Sequence, residues 1–498
     1  MTKIRIRSQT MQTLLRELRG GSATEEPYFY DPETFFSSRR EQKPAENNTE
    51  RPIRLKTTPL QGDVEETYTP AVQAEQTPST LPAPYSPSLQ DLISFYKDHG
   101  LVGEEPLAVL QTLGAINKQH FGIESLSGSG KSYTMDILLD LLPKDSVYTM
   151  ELSSATAEFY NAAEINRRPL IYIPELQKAM RTNRELTTEI LKNLAEGKAA
   201  RRRVRNQREE STDEFVITPG KGVMFTLAVE NDFKYDAEFS RRVFILRTDV
   251  SEEQTERILQ ATALRQQGGN RHASKNYQGL REHIAYCLSH DEFDYINPFA
   301  AYVAQQIPTN IRSRSWGQYL FGLMNSSAKF HLQDRTREAI TLVLNMQDVY
   351  NIQQIYWKQF CEGLLRIPLF AEEVIDAVEK SGNGRGPDAR DVYKQLENTA
   401  PMITYNLARQ TLEQLADAGY LEKDGYHSTN PRYARADRIP DYRVDFNWAE
   451  CWEKGVSYME SWHPDLLEEW VNRQTVGGYP VLKNPLDGKA SNLQLVEQ

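Results

Sequence analysis

The sequence predicts an α/β core of mainly parallel strands, followed by a helical region and a unit of three helices and a β-wing. Three observations predict it. Between His120 and Leu246, short apolar runs of strand length alternate with segments of helical period, the pattern of βα units. A glycine-rich turn, SGSGKS, separates the first of these runs from an amphipathic stretch. From Ser251 to about Phe370 the apolar spacing is helical, and the chain beyond reads helix, helix, helix, hairpin.

Taken in order, residues 1–88 are expected to be a largely disordered tail or linker. Ten of the 25 prolines fall in the first 90 residues, and Gln61–Ser88 has no hydrophobic period. The first twenty residues, MTKIRIRSQTMQTLLRELRG, are basic, but Arg16, Glu17 and Arg19 interrupt their apolar residues. That excludes a secretory signal and fits a short amphipathic helix, with partner docking as the alternative. Residues 89–250 form the α/β core. A helical lead-in (Leu89, Leu92, Ile93, Tyr96, then Leu107, Leu110, Leu113, Ile116) precedes strands at His120–Leu126, Ser146–Leu152, Pro169–Ile173, Val223–Val229 and Arg242–Leu246. Residues 251–370 are expected to be a helical lid. Residues 371–438, with a turn at Lys423-Asp424-Gly425-Tyr426, describe a winged helix. Residues 439–498 form a tail rich in tryptophan (Trp448, Trp452, Trp462, Trp470), read as a small helical docking element.

Bulk properties narrow the function classes. A chain of 498 residues is too long for one core, and no apolar run approaches the roughly 20 residues of a membrane span, so a cytoplasmic protein is expected. Cys287, Cys361 and Cys451 lie far apart with no CxxC pair, which argues against a disulfide framework or a zinc site and fits a reducing compartment. The net charge of −11 repels phosphate on average, so nucleic acid would be held only by a concentrated basic element.

The most specific signal is Ser125–Ser132, SLSGSGKS, after the strand FGIESL and before the helix YTMDILLDLL. Strand, glycine loop and helix in this order cradle phosphate oxygens on backbone N–H groups of Ser127, Gly128, Ser129 and Gly130. Lys131 then reaches the β- and γ-phosphates, and Ser132 offers its hydroxyl to Mg²⁺. The first glycine of the usual pattern is Ser125 here. A nucleoside-triphosphate hydrolase also needs an acid at a neighbouring strand end. In PLIYIPE (Pro169–Glu175) Glu175 fits the catalytic carboxylate, while Pro174 stands where a Mg²⁺-associated aspartate is usual. The alternatives are activity through Glu175 alone, or weak hydrolysis with the nucleotide as a switch. The strand GVMFTLAVEND ends at Asn231, a candidate γ-phosphate sensor.

With Lys131, Glu175, Asn231 and Arg241 in this order, residues from about Leu89 to Tyr433 resemble an AAA+ ATPase core, and in detail the minichromosome maintenance (MCM) type of replicative helicase. Three features carry the likeness: KAARRRVRNQREESTDEFVITPGKG as a hairpin inserted before the sensor strand, SRSWGQYLFGLMNSSAKFHLQDR and TLVLNMQDVYNIQQIY as a lid, and a winged helix behind it. The resemblance implies Mg²⁺ and ATP as cofactors, a homo-oligomeric, hexameric ring, and 3′–5′ travel. It also implies an arginine finger from Arg241 or Arg242 and a second sensor at Arg314, with Arg312 the alternative. The OB-fold and zinc region of cellular members has no counterpart in residues 1–88, which is similar to reduced viral or plasmid versions.

Five arginines between Arg201 and Arg208 form the densest basic run, and a strand's period of two puts Arg201, Arg203 and Arg205 on one face. That face, with Lys198 and Lys221 flanking, is the candidate contact for single-stranded or forked DNA; a solvated charged hairpin is the alternative. The expected recognition helix Thr404–Ala418 carries Arg409 beside Glu413 and Asp417, so protein contact or motor regulation is as expected there as DNA contact. Lys423, Arg432 and Arg435 leave room for phosphate contacts around the wing. The leading expectation is an ATP-dependent DNA helicase acting in replication, with other replication proteins bound through either tail. A replication initiator or helicase loader using ATP as an assembly switch is the first rival. A non-enzymatic winged-helix regulator of DNA is the second.

Overall fold

The computed structural model describes residues 86–150, 157–206, 211–228, 241–268, 275–365, 367–381, 386–425, 430–436, 446–476 and 479–492. Residues 1–85 of the expected 1–88 tail and Asn231 lie outside them. Ser88 opens the first helix, α1 (Leu89–Asp98), with a capping box. Its hydroxyl accepts from the Asp91 amide at 3.2 Å, and the Asp91 carboxylate accepts from the Ser88 amide at 2.9 Å. Helix α2 (Glu105–Ile116) is buried from Leu107 through Ile116, so it lies inside the unit, between the sheet and the helices beyond it.

The next elements are β1 (Phe121–Ser125), α3 (Lys131–Leu141), β2 (Val147–Thr149), α4 (Ala157–Tyr160), α5 (Ala162–Asn166), β3 (Leu170–Ile173) and α6 (Leu176–Ala195). A hairpin, β4 (Ala200–Asn206) and β5 (Ser211–Ile217), then precedes β6 (Gly222–Ala228) and β7 (Phe244–Arg247). Five strands form one parallel sheet in the order β2-β3-β6-β1-β7. All five coincide with the strands expected from the sequence. Their near-continuous apolar character is what a sheet covered on both faces requires: β3 is buried at every position and β6 at all but its last.

Beyond Ser251 come α7 (Glu252–Gln266), α8 (Gln278–Ser289), β8 (Asp294–Ile296), α9 (Ala300–Gln306), α10 (Ser313–Phe330), β9 (Thr336–Glu338), β10 (Thr341–Val343) and α11 (Met346–Leu365). The expected all-helical lid thus also holds a small sheet, β8-β10-β9; strands of three residues are too short to impose a period on the sequence. Its helices are pinned by Asp348, which is fully buried. That carboxylate accepts from Ser327 Oγ, from Nε and an Nη of Arg335 (each 2.7 Å) and from the Asn345 amide (2.9 Å).

Helices α12 (Ala371–Ser381), α13 (Ala389–Thr399) and α14 (Tyr405–Asp417) share a core that includes Val374, Val392, Leu396, Leu412 and Leu415, completed by Tyr433. An antiparallel pair, β11 (Leu421–Asp424) and β12 (Arg432–Arg435), follows. The tryptophan-rich segment is built into the body. Helices α15 (Trp448–Trp462) and α16 (Pro464–Gln474) lead to strands β13 (Thr475–Val476), β14 (Tyr479–Lys483) and β15 (Ala490–Asn492). Trp470 is buried, stacks on Trp452 at 5.3 Å and donates its indole N–H to Leu344 O at 2.9 Å. Among the described residues no helix is long and apolar enough to cross a membrane.

Candidate functional site

The loop between β1 and α3 has the geometry that phosphate needs. Gly128 (φ 78°) and Gly130 (φ 88°) lie in the left-handed region, and a Cβ at either would meet nothing within 4 Å, so the backbone faces open space. Ser125 is not among the positive-φ residues. Its side chain is buried and its hydroxyl accepts from Thr248 Oγ1 at 2.5 Å, which explains how a serine serves where glycine is usual. Lys131, also buried, turns back on its own loop and donates to the carbonyls of Ser125 (3.1 Å) and Leu126. Ser129 Oγ is buried without a hydrogen-bond partner, while Ser127 and Ser132 are exposed at the rim. An orphaned hydroxyl, two left-handed glycines and an ammonium turned onto the loop carbonyls fit an anion with several oxygens.

Glu175 stands at the same edge of the sheet. The strands are parallel, so the loops leaving β1, β6 and β3 emerge on one side, with β6 between the other two. Glu175 is exposed and caps α6 in the left-handed conformation (φ 51°, ψ 61°), its amide donating to Thr226 Oγ1 at 3.1 Å. A side chain bearing Cβ reaches that region at a cost of roughly 1–2 kcal/mol, and such strain clusters at functional positions. The segment after β6 that would carry Asn231 lies outside the described residues.

Asp136 escaped the sequence reading. It lies one turn beyond Ser132 at i+4, hence on the same face of α3. Burial raises the Tyr172 phenol, a hydrogen bond with Thr226 opposes it, and the charges of both Asp136 and Glu175 raise it further, so both carboxylates act on one phenol of β3. Burial also raises the Asp136 carboxyl itself. The signal was present in the sequence as a carboxylate spaced four residues from the hydroxyl expected on the cation. No family model matches the chain, and no curated protein matches it either.

The remaining candidates are scattered. Arg241 is exposed, whereas Arg242 forms an ion pair with Glu196, which also accepts from Lys198 at 2.6 Å. The Lys198 hydrogen bond first, and Arg242 after it, hold the Glu196 carboxyl below its usual range. Arg314 is exposed on the first turn of α10, while Arg312 is half-buried and donates to Gly363 O at 3.1 Å.

The hairpin pairs Arg201 with Val216, Arg203 with Glu214 and Arg205 with Thr212. Its other face carries Ala200 and Ile217 into the core, with Phe215 packed beside them. By this register Arg201 and Arg203, both exposed, share the outward face with Glu214, which lies 3.6 Å from each, while the side chain of Arg205 lies outside the described residues. Lys221 does not join them. It is buried and donates to the carbonyls of Asn166 (3.2 Å) and Arg168 (2.9 Å), which turns it away from the arginine face.

Other chemistries find less support among the described residues. The three cysteines are buried and free, and burial pushes each thiol up to about 12, away from thiolate chemistry. No group of three or more His, Cys, Asp or Glu side chains is arranged to hold a metal by itself. A cation here would share its shell with phosphate oxygens and water.

Proposed function

We propose that the chain is a P-loop ATPase of the AAA+ type, a ring-forming DNA motor similar to the MCM helicases, with a winged helix behind its lid. One observation carries the reading: an open glycine loop with Lys131 shares a sheet edge with Glu175, an exposed carboxylate held at a left-handed φ. Mg²⁺–ATP is the ligand this set fits. Backbone amides of Ser127–Gly130 and the Lys131 ammonium would bind the phosphates, and Ser132, with Asp136 and Glu175 behind it, would hold the cation. When bound, the cation withdraws charge from the phosphoryl oxygens. Glu175 is the group able to take a proton from an attacking water, and its fixed backbone aims it.

DNA is the proposed track and the outward arginines of the hairpin the proposed grip, repeated around a homo-oligomeric ring. A few cations per subunit hold a strand without reading sequence. Arg241 is the proposed finger for a neighbouring subunit, since Arg242 is engaged by Glu196 of its own chain. The rival initiator reading draws on Pro174, which removes the usual second carboxylate from the end of β3.

Steady-state ATP hydrolysis with and without single-stranded DNA decides between them. Lys131→Ala and Glu175→Gln should abolish turnover, and Arg201/Arg203/Arg205→Ala should lose only the stimulation by DNA. A protein that binds ATP yet never turns it over with any DNA is a switch, and the motor reading then fails.

A further inference from the structure

The turn after β3 leaves the sheet yet stays tied to it through side chains. Within the sheet, Gly222 N donates to Pro169 O at 3.0 Å, and Ile171 and Ile173 follow in register with Val223 and Phe225. Alternate residues of β3, namely 169, 171 and 173, thus turn their peptide groups to β6. Tyr172 turns its carbonyl to the other side, where it accepts from Met150 N at 2.7 Å. By this alternation the Glu175 N–H is the next donor toward β6, due at the Thr226 carbonyl. It goes instead to the Thr226 hydroxyl, at 3.1 Å. The following donor of β6, the Ala228 N–H, is likewise met by a side chain, Gln177 Oε1 of α6, at 3.4 Å.

Thr226 is buried in the middle of β6 and stands two residues beyond Met224, the register partner of Tyr172, so the two side chains share one face of the sheet. The Tyr172 phenol, also buried, is hydrogen-bonded to the Thr226 hydroxyl. A hydroxyl has one proton to give and two lone pairs to accept with. It can receive the Glu175 N–H while the phenol fixes its rotation. Glu175 occupies the left-handed region, which a residue bearing Cβ keeps only where its surroundings hold it, and no side-chain cap bond secures the start of α6. The bond to Thr226 is the contact that holds the Glu175 amide.

Resting on the phosphate-loop ATPase reading, we propose that Thr226 is a positioning residue for hydrolysis: its hydroxyl, oriented by Tyr172, fixes the Glu175 turn and so aims the exposed carboxylate. The hydroxyl acts through the backbone of another residue and binds no phosphate itself. Its removal therefore acts on the rate of the chemical step and leaves nucleotide affinity alone. A displacement of about 1 Å at a reacting group can cost on the order of 10²-fold in rate.

The full-length chain tests this by separating kcat from affinity. Thr226→Val keeps the shape of the side chain and removes the hydroxyl. It should lower kcat for ATP hydrolysis at least about tenfold, with the Kd of a fluorescent non-hydrolysable ATP analogue in Mg²⁺ kept within about twofold. Thr226→Ser retains the hydroxyl and should recover kcat to within about threefold of wild type. Tyr172→Phe frees the hydroxyl's rotation and should lower kcat by about threefold with the same unchanged Kd, the weight of one ordinary hydrogen bond. Wild-type kcat in a folded Thr226→Val overturns the proposal, as does a loss of affinity in step with kcat. If circular dichroism shows Thr226→Val unfolded, Tyr172→Phe decides alone, and an unchanged kcat there overturns the proposal. A wild-type chain without Lys131-dependent hydrolysis removes the ATPase reading and this inference with it, and that failure is seen before any change at Thr226 is made.

Discussion

Replacing Glu175 by glycine and by alanine separates its conformation from its chemistry. The residue sits at φ 51°, ψ 61°, where a side chain bearing Cβ costs roughly 1–2 kcal/mol. Glycine adopts that region freely but loses more unfolded-state freedom, roughly 0.5–1 kcal/mol against alanine. The backbone N–H bond to Thr226 Oγ1 survives in both variants. The difference leaves Glu175→Gly more stable than Glu175→Ala by about 0.5–1 kcal/mol. Across an α/β unit of this size that is about 2 °C in melting temperature. Both variants lose the carboxylate and should lose turnover by a factor on the order of 10²–10⁴, the usual weight of a positioned base. Paired thermal melts and steady-state hydrolysis measure both quantities. If alanine proves as stable as glycine, the backbone at 175 is not strained and the case for a position held against its preference is refuted.

Three further outcomes are expected. Asp136→Asn should raise the Mg²⁺ concentration for half-maximal nucleotide binding about tenfold, the scale of an outer-shell carboxylate, with binding in EDTA unchanged; Asp140→Asn, whose carboxylate pairs with Arg281 at 2.7 Å, is the control that should do nothing. Arg201/Arg203/Arg205→Ala should flatten the log–log salt dependence of single-stranded DNA binding by about 2, three contacts at roughly 0.7 each, and an unchanged slope would remove the hairpin from the DNA path. Burial holds His120 down at about 4, and its Nδ1 accepts the Val223 amide at 3.2 Å in the neutral form. The unfolded chain then binds a proton that the folded one refuses between pH 6.5 and 4, so stability falls as pH drops through that window. The loss amounts to about 3 kcal/mol. Chemical denaturation at pH 7 and pH 4.5 should show His120→Gln less pH-sensitive than the wild type.

The parallel sheet was legible because each strand is a short, doubly buried apolar run between helical segments, and the tight turn before α3 because Gly128 and Gly130 supply its left-handed backbone. The hairpin was legible from its period of two, yet Lys221 was misjudged: sequence neighbours of a basic run need not share its face, and this one feeds buried carbonyls instead. Asp136 was missed because a carboxylate inside an amphipathic helix looks like ordinary solvated charge until the fold brings β3 beside it. The packing of Trp470 under Leu344 and of Leu126 against the three-helix unit joins residues more than a hundred positions apart, and no local pattern encodes such pairings.

Helix α6 supplies a mechanical connection between the proposed chemistry and the proposed grip. It begins at Glu175, which caps it, and ends at Glu196, four residues before the hairpin. Twenty residues at 1.5 Å each span roughly 30 Å, so one rod runs from the end of β3 to the base of β4. Its far end is fixed by Glu196, which joins Lys198 on the hairpin side to Arg242 on the strand leading into β7. In the proposed motor, a shift of the Glu175 turn on phosphate binding would be carried along this rod toward the hairpin base and the Arg241–Arg242 pair. The proposed motor requires its carboxylate, its strand grip and its intersubunit arginine to change in step, and α6 is the element that would couple them.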